Sequence, residues 1–181
     1  LVSDFYSGYN VYSGPHQRCW VHLWRDLRQL RDELQADGER LAWVLAVQLQ
    51  YRLAKEAACL ADPAERRREY DALWQRTHLL GLQYAQVKHH PCQAMAKRLL
   101  RHVDELYQFV LHPEVPADNN LAERALRPVV VQRKISGGRR SRAGSDARLG
   151  LASLFGTWQA RGLNPFHGVP ALLVSPMAAS P

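Results

Sequence analysis

Residues 23–34, LWRDLRQLRDEL, and residues 41–53, LAWVLAVQLQYRL, decide how the fold is read. Leu23, Leu27, Leu30 and Leu34 recur every three or four positions, and so do Leu41, Leu45, Leu49 and Leu53. That period gathers the leucines on one side of a helix. Asp62-Pro63 then punctuates the pattern, with Pro63 suited to a first helical position. Tyr70, Leu73, Trp74, Thr77 and Leu80 form the next stripe. His90-Pro91 punctuates again before Met95, Leu99, Val103, Leu106 and Val110. Residues 23–112 therefore read as a block of three or four antiparallel helices. Trp20, Trp24, Trp43, Trp74 and Trp158 lie at helical spacing, so core packing is expected of them rather than base stacking.

Outside this block the pattern changes. Leu1-Val2-Ser3-Asp4 reads as the end of a strand that runs into an acid. Residues 5–14, rich in Tyr, Ser and Gly, read as a loop or short helix. Residues 17–21 suit a second short strand. Pro113 and Pro116 close the helical block, and Asp118-Asn119-Asn120 opens a helix that Pro128 is expected to interrupt. Residues 129–131 then fit a short strand or a kinked continuation. Gly137-Gly138 and Ala143-Gly144 read as a loop. Residues 145–161 read as a long helix with Leu151, Leu154, Phe155 and Trp158 on one face and Gly162 as its stop. Asn164-Pro165 begins a short last helix, and the tail from Ser175 is expected to fray. The fold class is mainly α with a few β-strands, without an internal repeat.

The 181 residues are enough for one ordinary domain, and at 46% hydrophobic and 23% charged they resemble neither a disordered nor a membrane chain. No run approaches the roughly 20 apolar residues that span a bilayer, so no membrane partner is expected. Cys19, Cys59 and Cys92 are odd in number and far apart, which fits reduced thiols in a cytoplasmic protein. The net charge is +7. Residues 124–148 hold eight basic side chains against the single acid Asp146, while the rest of the chain balances at 16 against 16. So concentrated an excess points to a directed polyanion contact.

Four constellations carry possible chemistry. Asp4 at a strand end is where metal-dependent phosphoryl-transfer sites place a carboxylate, although a turn before Ser7-Gly8 explains it as well. In Asn119-Asn120-Leu121-Ala122-Glu123-Arg124, Glu123 suits a metal ligand with Arg124 and Arg127 on phosphate. Asn120-x-x-Glu123 is also a capping-box spacing. Arg133-Lys134 and Arg139-Arg140-x-Arg142, with glycines between them, suit a phosphate backbone, the alternative being a solvated basic loop. Cys19-x-x-His22 with His89-His90-Pro91-Cys92 suggests zinc, but the spacing matches no standard finger and zinc is not expected.

Taken together, LVSDFYSGY (1–9), QRCWVHLWRDLR (17–28), NNLAERALRPVVVQRKISGG (119–138) and GLASLFGTWQARGLNP (150–165) closely resemble the C-terminal half of transposases of the insertion sequence sixty-six family. The resemblance runs from residue 1 to about residue 176. It implies an incomplete RNase H-like core, similar to that of retroviral integrases, carrying a large helical insertion. Residues 1–22 would be core strands, 23–112 the insertion, 113–176 the rest of the core and 177–181 a tail. Asp4 matches the second Asp of the family's Asp–Asp–Glu triad and Glu123 its Glu. Cys19 and His22 match its Cys-x-x-His signature, and Arg133 and Lys134 its basic residues beyond the Glu.

The same resemblance implies two Mg²⁺ or Mn²⁺ ions held by three carboxylates for DNA cleavage and strand transfer. Asp4 would bridge both ions and Glu123 would hold one. Arg124, Arg127, Arg133, Lys134, Arg139, Arg140 and Arg142 would contact DNA, with Asn119, Asn120, Cys19 and His22 in support. The partners expected are the element ends and the target DNA, with a homo-oligomer in the full-length protein and a nucleoid-associated cytoplasmic location. The family's first Asp lies upstream of this region, and no acid precedes Asp4. The chain is thus expected to be a fragment that is inactive alone. The rival reading is a non-catalytic helical DNA-binding protein that uses residues 124–148.

Overall fold

The computed structural model describes residues 1–34, 37–135 and 141–174. Two short strands, β1 (Val2–Ser3) and β2 (Gln17–Arg18), flank a 3₁₀ helix over Ser7–Val11. The helices α1 (Trp20–Glu33), α2 (Gly38–Ala58), α3 (Pro63–Ala85), α4 (Gln93–Leu106) and α5 (Gln108–Leu111) follow, and then α6 (Asn120–Ile135), α7 (Arg142–Ala160) and α8 (Pro165–Val174). The chain divides into two compact units, Leu1–Asn119 and Asn120–Pro181. It is mostly helical with two parallel strands. Among the described residues no helix is long and apolar enough to cross a membrane.

Local chemistry explains several helix ends. Asp37 Oδ1 accepts the Arg40 amide at 3.0 Å to start α2, and Asp62 Oδ1 accepts the Ala64 amide at 2.9 Å to start α3. Each satisfies an amide that the helix itself cannot pair. Pro63 takes the first position of α3, where its missing N–H costs nothing. Gly162, just beyond α7, has φ +67°, a left-handed conformation that glycine adopts without strain.

In the first unit α1 to α4 run up and down. Trp43 Nε1 donates to Leu80 O at 2.9 Å and Arg76 Nε to Gln50 Oε1 at 3.1 Å, so α2 and α3 are antiparallel. Trp74 Nε1 donates to Asp104 Oδ1 at 2.7 Å and Gln93 Nε2 to Ala85 O at 3.2 Å, which sets α4 antiparallel to α3. A Cβ on Gly81 would lie 2.7 Å from the Leu100 side chain and 3.2 Å from Ala96 O, so glycine lets these two helices close up. On the other side α1 meets α4, with Trp20 at the Leu106 end and Asp26 paired with Arg98. Leu23, Leu27, Val44, Val47, Leu73, Leu99 and Leu106 are fully buried between the helices. Burial of each is worth about 1.5–3 kcal/mol.

The strands pair Val2 with Gln17 and Ser3 with Arg18. β2 is shorter than the 17–21 expected from sequence. The Cys19 amide makes the last ladder bond, to Ser3 O at 2.8 Å, and the Trp20 amide turns to Ala117 O at 3.0 Å. α1 therefore starts at Trp20, and Val21 and His22 are helical rather than part of the strand region. The polar β2 is buried because α4 and α5 are broken at Tyr107. That break frees the Leu106 carbonyl, which accepts from Gln17 Nε2 at 3.0 Å and Trp20 Nε1 at 2.6 Å. Gln17 Oε1 accepts the freed Phe109 amide at 3.1 Å.

The second unit departs further from expectation. Pro128 does not interrupt α6, which continues as helix through residues 129–131 to Ile135. The proline φ suits a helix, and the carbonyl of Arg124 that loses its donor belongs to an exposed residue open to water. Ala143-Gly144 are helical, because Ser141 Oγ accepts the Gly144 amide at 3.1 Å and caps α7 ahead of them. Gly137-Gly138 and the tail from Ser175 lie outside the described residues. α7 buries none of Leu151, Leu154, Phe155 and Trp158, so this face is not part of a core. Trp20 and Trp43 are core residues as expected, whereas Trp24, Trp74 and Trp158 are only half-buried.

Two expectations for stability follow. Leu99→Ala should cost about 2–5 kcal/mol, the range for a cavity in a packed core, measured by denaturant unfolding. The second concerns acid. Burial and then the Arg18 charge hold His16 below its usual 6.5, and burial lowers His102 despite the opposing pull of Glu105. Burial pushes Glu105 up, but hydrogen bonds from Arg18 and His102 outweigh it and leave the carboxyl below its usual 4.5. For all three the unfolded chain takes up protons at higher pH than the folded chain. Their stabilisation is complete above 6.5 for the histidines and above 4.5 for Glu105, and it drains away as pH falls. The thermal midpoint should thus drop between about pH 7.5 and about pH 5, and His102→Gln should flatten that drop.

Candidate active site

Asp4 sits immediately after β1 and is half-buried. Its Oδ1 accepts the Tyr6 amide at 2.9 Å, a turn built on the Asp side chain. Oδ2 has no hydrogen-bond partner among the described residues. The Asp4 carbonyl accepts from Arg18 Nη1 at 2.8 Å and from Ser3 Oγ at 2.9 Å.

Arg18 is the centre of this neighbourhood, and it is fully buried. Nε donates to Glu105 Oε2 at 2.6 Å, Nη2 to Asn10 Oδ1 at 2.7 Å, and Nη1 lies 3.4 Å from Ser3 Oγ. His102 Nδ1 is 2.8 Å from the same Glu105 oxygen, and His16 Nε2 is 2.7 Å from Ser3 Oγ. Phe5, next to Asp4, packs edge-on against His102 and lies under the Arg98 guanidinium, 5.1 Å from its ring centre. Sequence reasoning passed over Arg18, Asn10, His16, His102 and Glu105. Up to 95 residues separate them, and no periodicity links them. The one local signal was Arg18's place inside the QRCWVH block.

Cys19 is fully buried immediately before α1, and His22 is half-buried one turn later. Ser3 O and Ala117 O receive the successive amides of Cys19 and Trp20. Within the first unit, the strand end that carries Asp4 and the segment that leads to Asn119 are thereby fastened to adjacent residues. Asp118 belongs to the same neighbourhood. Burial raises the Tyr51 phenol, and the charge of Asp118 raises it further, while the Tyr51 ring stacks on Trp20 at 4.9 Å. Asn119 Oδ1 is buried without a hydrogen-bond partner. Cys92 lies at the opposite end of α4 from the Leu106 carbonyl on which Trp20 docks, a separation of about 20 Å at roughly 1.5 Å per residue. Among the described residues no group of three or more His, Cys, Asp or Glu side chains is arranged to hold a metal ion.

In the second unit Glu123 lies exposed in the first turn of α6. Asn120, Glu123, Arg124, Leu126, Arg127 and Val130 line an open groove of about 640 Å³. Positions 120, 123, 124 and 127 share one helix face, so a carboxylate, an amide and two guanidinium groups look the same way. Arg133 and Lys134 are exposed in the last turn of α6, where the helix dipole favours cations. Arg142 is exposed at the start of α7, and Arg148 Nε donates to Gln132 Oε1 at 3.0 Å, tying α7 to α6. Arg139 and Arg140 lie outside the described residues. The sequence from residue 120 on holds nine basic and two acidic side chains, and that before it fifteen of each. The whole net charge therefore belongs to the second unit.

Comparison with known proteins gives this arrangement a setting. The chain is 28% identical over 185 residues to the "Uncharacterized protein y4jO" of Sinorhizobium fredii (strain NBRC 101917 / NGR234), covering 99% of this chain and 56% of that protein. It thus spans about half the length of the curated relative it matches. No solved structure matches the chain. The family described as "Transposase IS66 family" matches residues 1–147, from before Asp4 through Glu123 and past Arg142. On a match that takes in most of its residues, the chain belongs to the IS66 family of transposases.

Proposed function

We propose that the chain contributes Asp4 and Glu123 to the metal-dependent, DNA-cleaving and strand-transferring site of an Asp–Asp–Glu transposase on an RNase H-like core. The observation that carries this reading is the distribution of charge. The first unit is electrically balanced, while the unit that bears Glu123 holds the entire excess of +7. An acid set among arginines on one helix face suits a phosphodiester bound together with a divalent cation, the carboxylate facing the cation and the guanidinium groups the phosphate.

The residues suit a hard divalent cation. Mg²⁺ and Mn²⁺ take carboxylate oxygens and keep several waters, and Asp4 Oδ2 is open beside a fixed Oδ1. Asp4 and Glu123 would hold the metal as two of the carboxylates of an Asp–Asp–Glu site. Once bound, the metal supplies Lewis-acid stabilisation of the reacting phosphate oxygens. The chain's own side chains do the rest. Arg124 and Arg127 neutralise phosphates next to Glu123, and Arg133, Lys134 and Arg142 extend the hold along the strand. Asn119 and Asn120 lie beside Glu123 in sequence and would orient it or contact DNA. Apolar side chains left exposed on α6 and α7, among them Leu121, Leu126, Ile135 and Leu151, offer the surface that the remainder of such a core would cover.

In the full-length protein, Glu123→Gln should reduce strand transfer by about 10³-fold or more while DNA affinity stays within about threefold. A strand-transfer assay paired with a binding titration reads both. Unchanged strand transfer would remove Glu123 from the site, and DNA binding without strand transfer by the unsubstituted protein would return it to the reading of a non-catalytic DNA binder. Removing Arg133 and Lys134 together should lower the slope of log affinity against log salt by about 2, one for each phosphate that is no longer neutralised.

A further inference from the structure

We propose that Arg18 is the positioning residue of Asp4: its buried guanidinium fixes the strand end that presents the carboxylate, while Glu105 cancels its charge. The proposal rests on the reading of Asp4 given above. β-ladder pairing stops at Ser3, so Asp4 lies beyond the backbone bonds that hold β1. Its carbonyl is held instead by Arg18 and by the Ser3 hydroxyl, which Arg18 and His16 also approach. The same guanidinium grips Asn10 in the 3₁₀ segment and Glu105 on α4. One fully buried side chain therefore ties together the three pieces of chain around Asp4.

A buried arginine is a costly fastener for two strands, because an apolar pair of similar size often does as well or better. What the arginine adds is direction. Its planar fork serves the Asp4 carbonyl and Asn10 from one rigid group, and with Oδ1 committed to the Tyr6 amide, Oδ2 is left open. The contact is to the Asp4 backbone, and Glu105 takes up the positive charge. The guanidinium orients the carboxylate without being its counter-ion.

The test uses the full-length protein labelled with ¹⁵N-tyrosine, with the Tyr6 amide assigned through Tyr6→Phe. Mn²⁺ alone is titrated, and paramagnetic broadening of the Tyr6 signal is followed beside strand-transfer rate against Mn²⁺ concentration. Arg18→Met combined with Glu105→Gln removes both charges and leaves neither one buried alone. Its broadening midpoint and the Mn²⁺ requirement for strand transfer should each rise about 10- to 100-fold, with rate regained at high Mn²⁺. Should that double variant unfold, Arg18→Lys makes the same comparison. It keeps an ion pair with Glu105, gives up the fork, and should show a smaller shift in the same direction. A folded double variant, or failing that a folded Arg18→Lys, with unchanged midpoint and rate overturns the proposal while Asp4 keeps its role. Broadening that survives Asp4→Asn overturns the site reading, and the proposal with it.

Discussion

A guanidinium that leaves water must find a partner for every donor, and the Arg18 side chain imposes that requirement on the N-terminal end of this fold. It lies fully buried on β2, which like its partner β1 is only two residues long and too short to be stable alone. Glu105 from α4, Asn10 from the 3₁₀ segment and the backbone of Asp4 give each of its three nitrogens a partner. His102 and His16 complete the surroundings, one on Glu105 and the other on Ser3. Were Glu105 displaced, the Arg18 charge would stand unpaired at low dielectric, a loss of about 3–5 kcal/mol. The position of Asp4 is thus tied to a helix about a hundred residues further along the chain.

The helices supply the platform for that network. α4 ends at Leu106, and the carbonyl and amide freed by the break at Tyr107 are taken by Gln17, Trp20 and the turn into α5. A helical block that would otherwise be a bundle packed on itself thereby becomes the support of a strand edge. The two units also differ in kind. The first balances its charges and buries a core that includes Leu23, Leu27, Val44, Leu73 and Leu99. The second gathers basic groups and leaves apolar side chains exposed. Helices of the second kind gain little from their own packing and depend on surfaces brought by other elements or ligands.

Much of this was legible in the amino-acid order. The leucine spacing of residues 23–53 and the stripes after it predict α1 to α4, although in α2 the core takes Trp43, Val44, Val47 and Ala54 and leaves Leu45 and Leu49 exposed. Pro63 and Gly162 fall where their backbone limits put them. Other features depended on competition that local sequence does not record. Pro128 stays helical because the bond it forfeits lies in water. Ala143-Gly144 join α7 because Ser141 caps ahead of them. His22 is helical because the Trp20 amide finds Ala117, a partner 97 residues away.

The candidate site divides along the same line. Asp4, Glu123 and the basic side chains after it were readable from the sequence, because a carboxylate at a strand end and arginines along a helix face are local patterns. Sequence also determined where the net charge lies, since charge is counted and needs no fold. The tertiary structure alone decided what holds Asp4. Arg18, Glu105, Asn10, His16 and His102 carry no shared spacing, and only burial makes them one group. A polar side chain on the surface is indifferent to its neighbours, but the same side chain removed from water has to be paired, and folding settles which residues are near enough to do it.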